Sequence, residues 1–235
     1  GHVVEIHESE SKGNLWFRVG QIMGTQIAFG TSKFGDGGEN PSIAINNDGW
    51  CIEIHETEAL FGSGIWYRIG KTDIARKDIT WGGSVKLGSG LRPRVSLNNK
   101  LDVVEVHESE GFGTDLWYRV GKLNPTTRSI DWGPSVNYTS GRLPQVSIDD
   151  TGHIVELHST EAGGETLWTS SGQIKAFDKK IDFHSGPFQT GYSNTGFSVS
   201  TSFDGSKAVS TMTAETAELR CSVCYIFDRA TWMYD

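Results

Sequence analysis

One phrase returns at an almost fixed interval along this chain of 235 residues, and the interval limits the folds open to it. "VVEIHESE" comes back as "CIEIHETE", "VVEVHESE" and "IVELHSTE". Each copy is followed by a Leu/Ile-Trp pair and a Gly four residues past the Trp, as in "NLWFRVG", "GIWYRIG", "DLWYRVG" and "TLWTSSG". Trp16, Trp66, Trp117 and Trp168 stand 50, 51 and 51 residues apart. A period of that size signals a propeller or solenoid, in which a repeat buries its apolar face only against its neighbours. A repeat running through nearly the whole chain therefore implies one domain over 1–235, with repeats at about 1–39, 40–91, 92–142, 143–195 and 196–235.

Each repeat reads as four strands. "LPQVSIDD" is a short strand closed by Asp-Asp-Thr-Gly, and "HIVELHSTE", "TLWTSSGQI" and "KKIDFHSG" follow it. Equivalent starts fall at Pro41, Pro93, Pro144 and Gly196, and proline is tolerated at the first residue of a strand, where no ladder donor is needed. Asn47-Asp48-Gly49 and Asp150-Thr151-Gly152 supply residues that tolerate positive φ between strands one and two. With 29 Gly, 8 Trp and 11 Phe and no sustained helical periodicity, the chain is expected to be all-β. Four-stranded antiparallel units of about 50 residues match the blades of a five-bladed β-propeller. The first blade enters at its second strand, so an irregular closing blade is expected where the two ends meet.

A formal net charge of −8 without a Lys/Arg-rich stretch argues against nucleic acid as a partner. No apolar run approaches the roughly 20 residues that cross a bilayer, so no membrane insertion is expected. Cys51, Cys221 and Cys224 are too few for a disulfide framework. The spacing in "CSVC" sends its two thiols to opposite faces of a strand, and no second ligand pair accompanies it. "SIDD" lacks the twelve-residue calcium pattern, and "LGSG" lacks the Lys-Ser/Thr of a phosphate loop. No metal and no cofactor are expected.

The repeated phrase carries the chemistry. Alternate strand residues share a face, which groups Glu5 with His7, Glu53 with His55, Glu105 with His107 and Glu156 with His158. On the next strand Trp16 and Arg18, Trp66 and Arg68, and Trp117 and Arg119 pair likewise, while Ser170 replaces the Arg beside Trp168. The His-to-Trp gap varies, at 9, 11, 10 and 10 residues, so sequence leaves the hairpin register open. Two readings follow. In one, Glu and Arg pair across strands as a buried clamp and Trp packs between blades. In the other, the same groups line shallow sugar pockets, with indoles stacking on pyranose faces and Glu, His and Arg meeting hydroxyls. Ionic groups are costly to bury, which favours a wet edge and the second reading. Trp81 and Trp132 at matching outer positions read as cover for the blade edge.

The period, the blade-wise Trp and the "E-x-H-E-S/T-E…L-W-Y-R-V-G" unit resemble the tandem-repeat β-propeller lectins. That resemblance implies a carbohydrate-binding protein with several weak equivalent sites, its ligands being glycans or glycoproteins, with gains from avidity. The acids are spread equally around the ring instead of converging on one centre, so no enzyme is expected and a glycosidase is the lesser reading. A protein-interaction platform or a targeting module of a larger protein is the alternative, and oligomer formation stays open. Lectin function points outside the cell, while unpaired cysteines lean inside.

Overall fold

The computed structural model describes residues 1–10, 13–57, 64–111, 113–160, 166–193, 199–203, 207–213, 219–228 and 231–234, with side chains as far as His184 and at Pro187. All regular structure among them is β, in five sheets. The first holds β1 (His2–Glu8), β2 (Asn14–Met23), β3 (Gln26–Phe29) and β4 (Lys33–Gly37). The second holds β5 (Glu39–Ile45), β6 (Trp50–Thr57), β7 (Gly64–Asp73), β8 (Asp78–Trp81) and β9 (Val85–Ser89). The third repeats this with β10 (Leu91–Leu97), β11 (Asp102–Glu108), β12 (Asp115–Asn124), β13 (Ser129–Trp132) and β14 (Val136–Ser140). The fourth is β15 (Arg142–Ile148), β16 (His153–Ser159), β17 (Thr166–Lys175) and β18 (Lys180–Ser193), and the fifth is β19 (Val199–Phe203), β20 (Lys207–Thr213), β21 (Leu219–Asp228) and β22 (Thr231–Tyr234).

Every sheet is an antiparallel meander, and β5, β10, β15 and β19 lie side by side as the inner strands of successive blades. This is a five-bladed β-propeller. One detail departs from the expected four plain strands. In blades one to three the outermost strand is broken, so that β3 and β4 both pair with β2, β8 and β9 with β7, and β13 and β14 with β12. The first sheet has three strand positions, because nothing among the described residues pairs with β1 on its inner side. Cys221 and Cys224 both fall in β21.

The core lies between blades. The twofold alternation of the second strand sends Cys51 toward blade one, where it packs with Phe17 and Val19, and sends Ile52 and Ile54 toward Val95, Leu97 and Val103 of blade three. Val104 and Val106 face Val146, Ile148 and Ile154 of blade four in the same way. Outer-strand aromatics close each layer edge-on against the preceding blade. Trp81 meets Phe17 at 5.6 Å, Trp132 meets Tyr67 at 5.7 Å, and Phe183 meets Tyr118 at 5.9 Å. Phe29, Trp81, Trp132 and Phe183 occupy one equivalent position, each opposite a glycine of the third strand. At the rim where strands one and two turn, Asn47 N–H donates to Asn99 at 2.8 Å and Asn99 N–H donates to Asp150 at 2.8 Å, a polar ladder linking blades two, three and four.

Candidate functional site

The hairpin register brings the repeated polar residues into direct opposition. Glu5 faces Arg18, Glu53 faces Arg68, Glu105 faces Arg119 and Glu156 faces Ser170. His7, His55, His107 and His158 face Trp16, Trp66, Trp117 and Trp168. The variable loop before the Trp therefore leaves register unchanged, because a one-residue slip would move every buried side chain to the wrong face.

In blade two the cluster members bond to one another, with Arg68 Nη2 alone among them buried without a hydrogen-bond partner among the described residues. Glu53 accepts from His55 Nδ1 at 2.9 Å and from Arg68 Nε at 2.8 Å, and the Arg68 guanidinium donates to the Gly35 carbonyl and lies 4.2 Å from the Trp81 ring centre. Glu53, His55 and Arg68 are all buried, as are Glu105, His107, Glu156 and His158, while the four tryptophans are half-buried. Blade one keeps the same bonds, His7 to Glu5 at 2.7 Å and Arg18 to Glu5 at 2.8 Å, in a half-exposed setting.

The clamp varies with the residue that bulges from the preceding blade's outer strand. That residue is Gly35, Leu87 or Tyr138, each lying at the register shift of β4, β9 or β14. Gly35 stands over the intact Glu53–Arg68 pair. Opposite Leu87, Arg119 Nε and Glu105 Oε2 are buried without a hydrogen-bond partner among the described residues. Tyr138 takes over where arginine is missing, its hydroxyl donating to Glu156 at 2.8 Å above Ser170. Burial, and then Glu156 itself, push the Tyr138 phenol well above its usual range, so it remains a donor.

A second set of carboxylates went unremarked in the sequence because it seemed only to extend the motif. Glu8, Glu56 and Glu108 lie at or next to the ends of the second strands of blades one to three, and each reaches a backbone N–H at the start of the next inner strand. The donors are Asn40 at 3.5 Å, Arg92 at 2.6 Å and Leu143 at 2.8 Å. These three residues precede Pro41, Pro93 and Pro144 and have φ of 49°, 49° and 54°. A left-handed residue costs about 1 kcal/mol or more and persists only when its surroundings over-determine it. Here the carboxylate that captures its N–H supplies that restraint.

The three sites differ chemically. Glu108 is fully buried and salt-bridged to Arg92 at 2.7 Å and Arg142 at 3.3 Å. Glu56 accepts from Arg92 N–H and from the Asn40 side-chain amide. Glu8 has the long contact to Asn40 N–H, so Asn40 joins carboxylates from two blades. Beside them Arg94 donates to the carbonyls of Pro93 at 2.8 Å and Asn40 at 3.3 Å. Burial lowers the Arg94 pKa, Glu56 and Glu108 counter the shift, and Arg92 adds to it. As an arginine it stays charged. Among the described residues no group of three or more His, Cys, Asp or Glu is disposed to hold a metal ion.

No protein-family model matches this chain, and no curated protein does. Solved structures share its fold. An α-L-arabinofuranosidase from Clostridium thermocellum is 11% identical with a TM-score of 0.52, over 97% of this chain and 91% of that one. A glycosyl hydrolase from Bacteroides ovatus is 11% identical with a TM-score of 0.52, over 100% and 84%. A GH43 protein from Bacillus licheniformis is 11% identical with a TM-score of 0.53, over 99% of this chain and 52% of that one, so the chain spans about half its length. At this identity the likeness is one of fold.

Two expectations are overturned. The multivalent lectin is set aside because the propellers named above are glycoside hydrolases, and because in blades two to four the Glu and His groups assigned to wet sugar pockets are buried, as is Arg68. The expectation of no enzyme fails on the same fold likeness. A charged group is tolerated in the interior when nearby side chains satisfy it, as His55 on the same strand and Arg68 on the adjacent strand do for Glu53.

Proposed function

We propose that this chain is a carbohydrate-active propeller of the glycoside-hydrolase type, working at the rim where the second strands end and the next inner strands begin. The observation that carries the reading is Asn40, which binds Glu8 through its backbone and Glu56 through its side chain. Glycosidic hydrolysis asks for two carboxyl groups about 5–9.5 Å apart, one donating a proton to the leaving oxygen and one accepting a proton from water or attacking the sugar directly. Two carboxylates that share a single partner residue suit that need better than the equal spread around the ring suggested by the sequence. Glu56, fixed by two donors, takes the base role, and Glu8, restrained by one long contact, is the group able to turn toward a leaving oxygen. Arg94 and the half-exposed Arg92 and Arg142 supply donors for sugar hydroxyls nearby. Because one of the fold relatives is an α-L-arabinofuranosidase, arabinofuranosides are the first substrates to try.

The test is release of 4-nitrophenol from its α-L-arabinofuranoside and β-D-xyloside, and of reducing ends from arabinoxylan. Glu8→Gln and Glu56→Gln should each lower kcat by about 10²-fold or more, the scale of a lost general acid or base. Glu108→Gln should instead lower the melting temperature. Full activity in both Glu8→Gln and Glu56→Gln, or no hydrolysis of any of these substrates by the parent protein, defeats the proposal.

A further inference from the structure

The inner strands of blades two, three and four open with the same Gly-x-x-Pro phrase, and the repeat lets the residues around its proline vary. They read Glu39-Asn40-Pro41-Ser42, Leu91-Arg92-Pro93-Arg94 and Arg142-Leu143-Pro144-Gln145. Arginine enters at three different places of the phrase, and at each place the other two copies do without it. A residue that the blade needs for packing recurs with the period, as the Glu-x-His unit does, so the period gives no account of these three.

The fold nevertheless gathers them at one rim. Arg92 and Arg142 donate through Nη1 to the same oxygen of Glu108, Oε2, at 2.7 and 3.3 Å. Arg94 lies within the fields of Arg92, Glu56 and Glu108, and its Nη1 donates to the carbonyls of Pro93 at 2.8 Å and Asn40 at 3.3 Å. Glu108 needs less than this. Its Oε1 already accepts from Leu143 N–H at 2.8 Å, and one guanidinium on Oε2 balances its charge, whereas a second on the same oxygen brings like charges together. Among the described residues the ion pairs of all three arginines run to that one carboxylate.

The unused donors are placed to meet a ligand. The hydrogen bonds that these three guanidinium groups make among the described residues all run through Nη1, which leaves Nε and Nη2 of each fork, the pair that grips a carboxylate with two parallel bonds. The Arg92 and Arg142 side chains are 37% and 35% exposed while Glu108 is fully buried, so the forks reach solvent and the protein's own carboxylate does not. Arg92 also ties this place to the reacting groups, since its backbone N–H holds Glu56 at 2.6 Å.

Resting on the hydrolase reading of this rim, we propose that its substrate is an acidic glycan, and that Arg92 and Arg142 are specificity-determining residues gripping the carboxylate of a uronosyl unit beside the bond to be cleaved. Arg94 adds to the positive potential. A neutral glycan offers these forks hydroxyls alone, which bind a guanidinium less strongly than a carboxylate does.

The test is calorimetry on the whole 235-residue protein with three ligands: a xylotriose bearing a glucuronosyl branch, the same oligosaccharide with its carboxyl reduced to a primary alcohol, and trigalacturonate. The glucuronosyl ligand or trigalacturonate should bind at least about tenfold more tightly than the reduced one, the scale of one charge-assisted hydrogen bond, and the gap should narrow as salt is raised. Tighter binding of the glucuronosyl ligand assigns the carboxylate to a branch, tighter binding of trigalacturonate assigns it to the main chain, and both support the site. Arg142→Gln should bring the ratio of acid to reduced ligand close to one, with Arg92 still in place on Glu108. The parent's ratio and its salt dependence need no variant, so they decide the matter even if Arg142→Gln fails to fold. Equal binding of acid and reduced ligands, no binding of any of the three at millimolar concentration, or a preference that survives Arg142→Gln overturns the inference. Hydrolysis of the neutral nitrophenyl glycosides alongside equal binding overturns it and leaves the hydrolase reading standing; acid-selective binding without hydrolysis of any substrate does the reverse.

Discussion

The fourth blade uses a tyrosine–serine pair where the second uses a glycine–arginine pair, and the exchange can be transplanted. In blade two, Arg68→Ser removes the 2.8 Å bond to Glu53 and leaves a fully buried carboxylate with His55 as its remaining side-chain partner. Stripping one member from a buried ion pair costs about 3–5 kcal/mol. Gly35→Tyr alone inserts a Cβ 2.6 Å from Arg68 Nη2 and 3.2 Å from the Leu15 carbonyl, an overpacking cost of about 1–3 kcal/mol. Together the two changes recreate the fourth-blade arrangement, with the new hydroxyl reaching Glu53 as Tyr138 reaches Glu156 at 2.8 Å. The double variant should therefore be more stable than additivity allows, by about 2–3 kcal/mol of favourable coupling, near the upper limit for residues in contact. Urea unfolding of the four proteins measures the cycle, with constant m values as the check that each unfolds as the same unit. Additivity within about 0.5 kcal/mol would mean that Gly35 and Arg68 do not share one space, and the account of the clamp would fall.

Three further outcomes are expected. Burial pushes the Cys51 thiol up to about 12, against the opposing pull of the Gly70 backbone and Arg68, so native protein should leave this cysteine unlabelled by iodoacetamide at pH 8 while unfolded protein reacts, as mass spectrometry would show. The Asn99 side-chain amide and backbone N–H hold the Asp150 carboxyl below its ordinary value. A depressed folded pKa gives stability that is present above the unfolded value of about 3.9 and lost as pH falls through the folded one, so the melting temperature should drop on acidification below about pH 4, and less so in Asp150→Asn. Burial alone would raise the Asp36 carboxyl, but Ser84, the Gly37 N–H, Arg68 and His55 outweigh it, so Asp36→Asn should remove another share of the same acid loss.

What the sequence made legible follows from period and alternation. A 50-residue repeat with four short strands admits few architectures, and the twofold rule placed Glu, His, Trp and Arg on shared faces before any register was known. The broken outer strand was not legible, because the residue that bulges there is Gly35, Leu87 or Tyr138, and residues so different look unrelated until the partner strand aligns them. Their meaning lies in the next blade, at Arg68, Arg119 and Ser170, some 30 residues along the chain. The replacement of Arg by Ser170 was visible in the sequence, whereas the compensating Tyr138 was not, and the pair shows a packing problem solved twice.

The same limit hid the rim. Glu8, Glu56 and Glu108 seem equivalent when the copies are aligned, and equivalence argued against a single active centre. Their surroundings differ because the residue meeting each one comes from the following repeat and is free to vary: Asn40 meets Glu8, Arg92 meets Glu56, and Leu143 with Arg142 meets Glu108. A repeat that places identical acids beside non-identical neighbours can thereby hold one carboxylate as an anchor and leave another for chemistry. Asymmetry in such a ring arises at the joins between blades, and that is where a search for its reactive groups belongs.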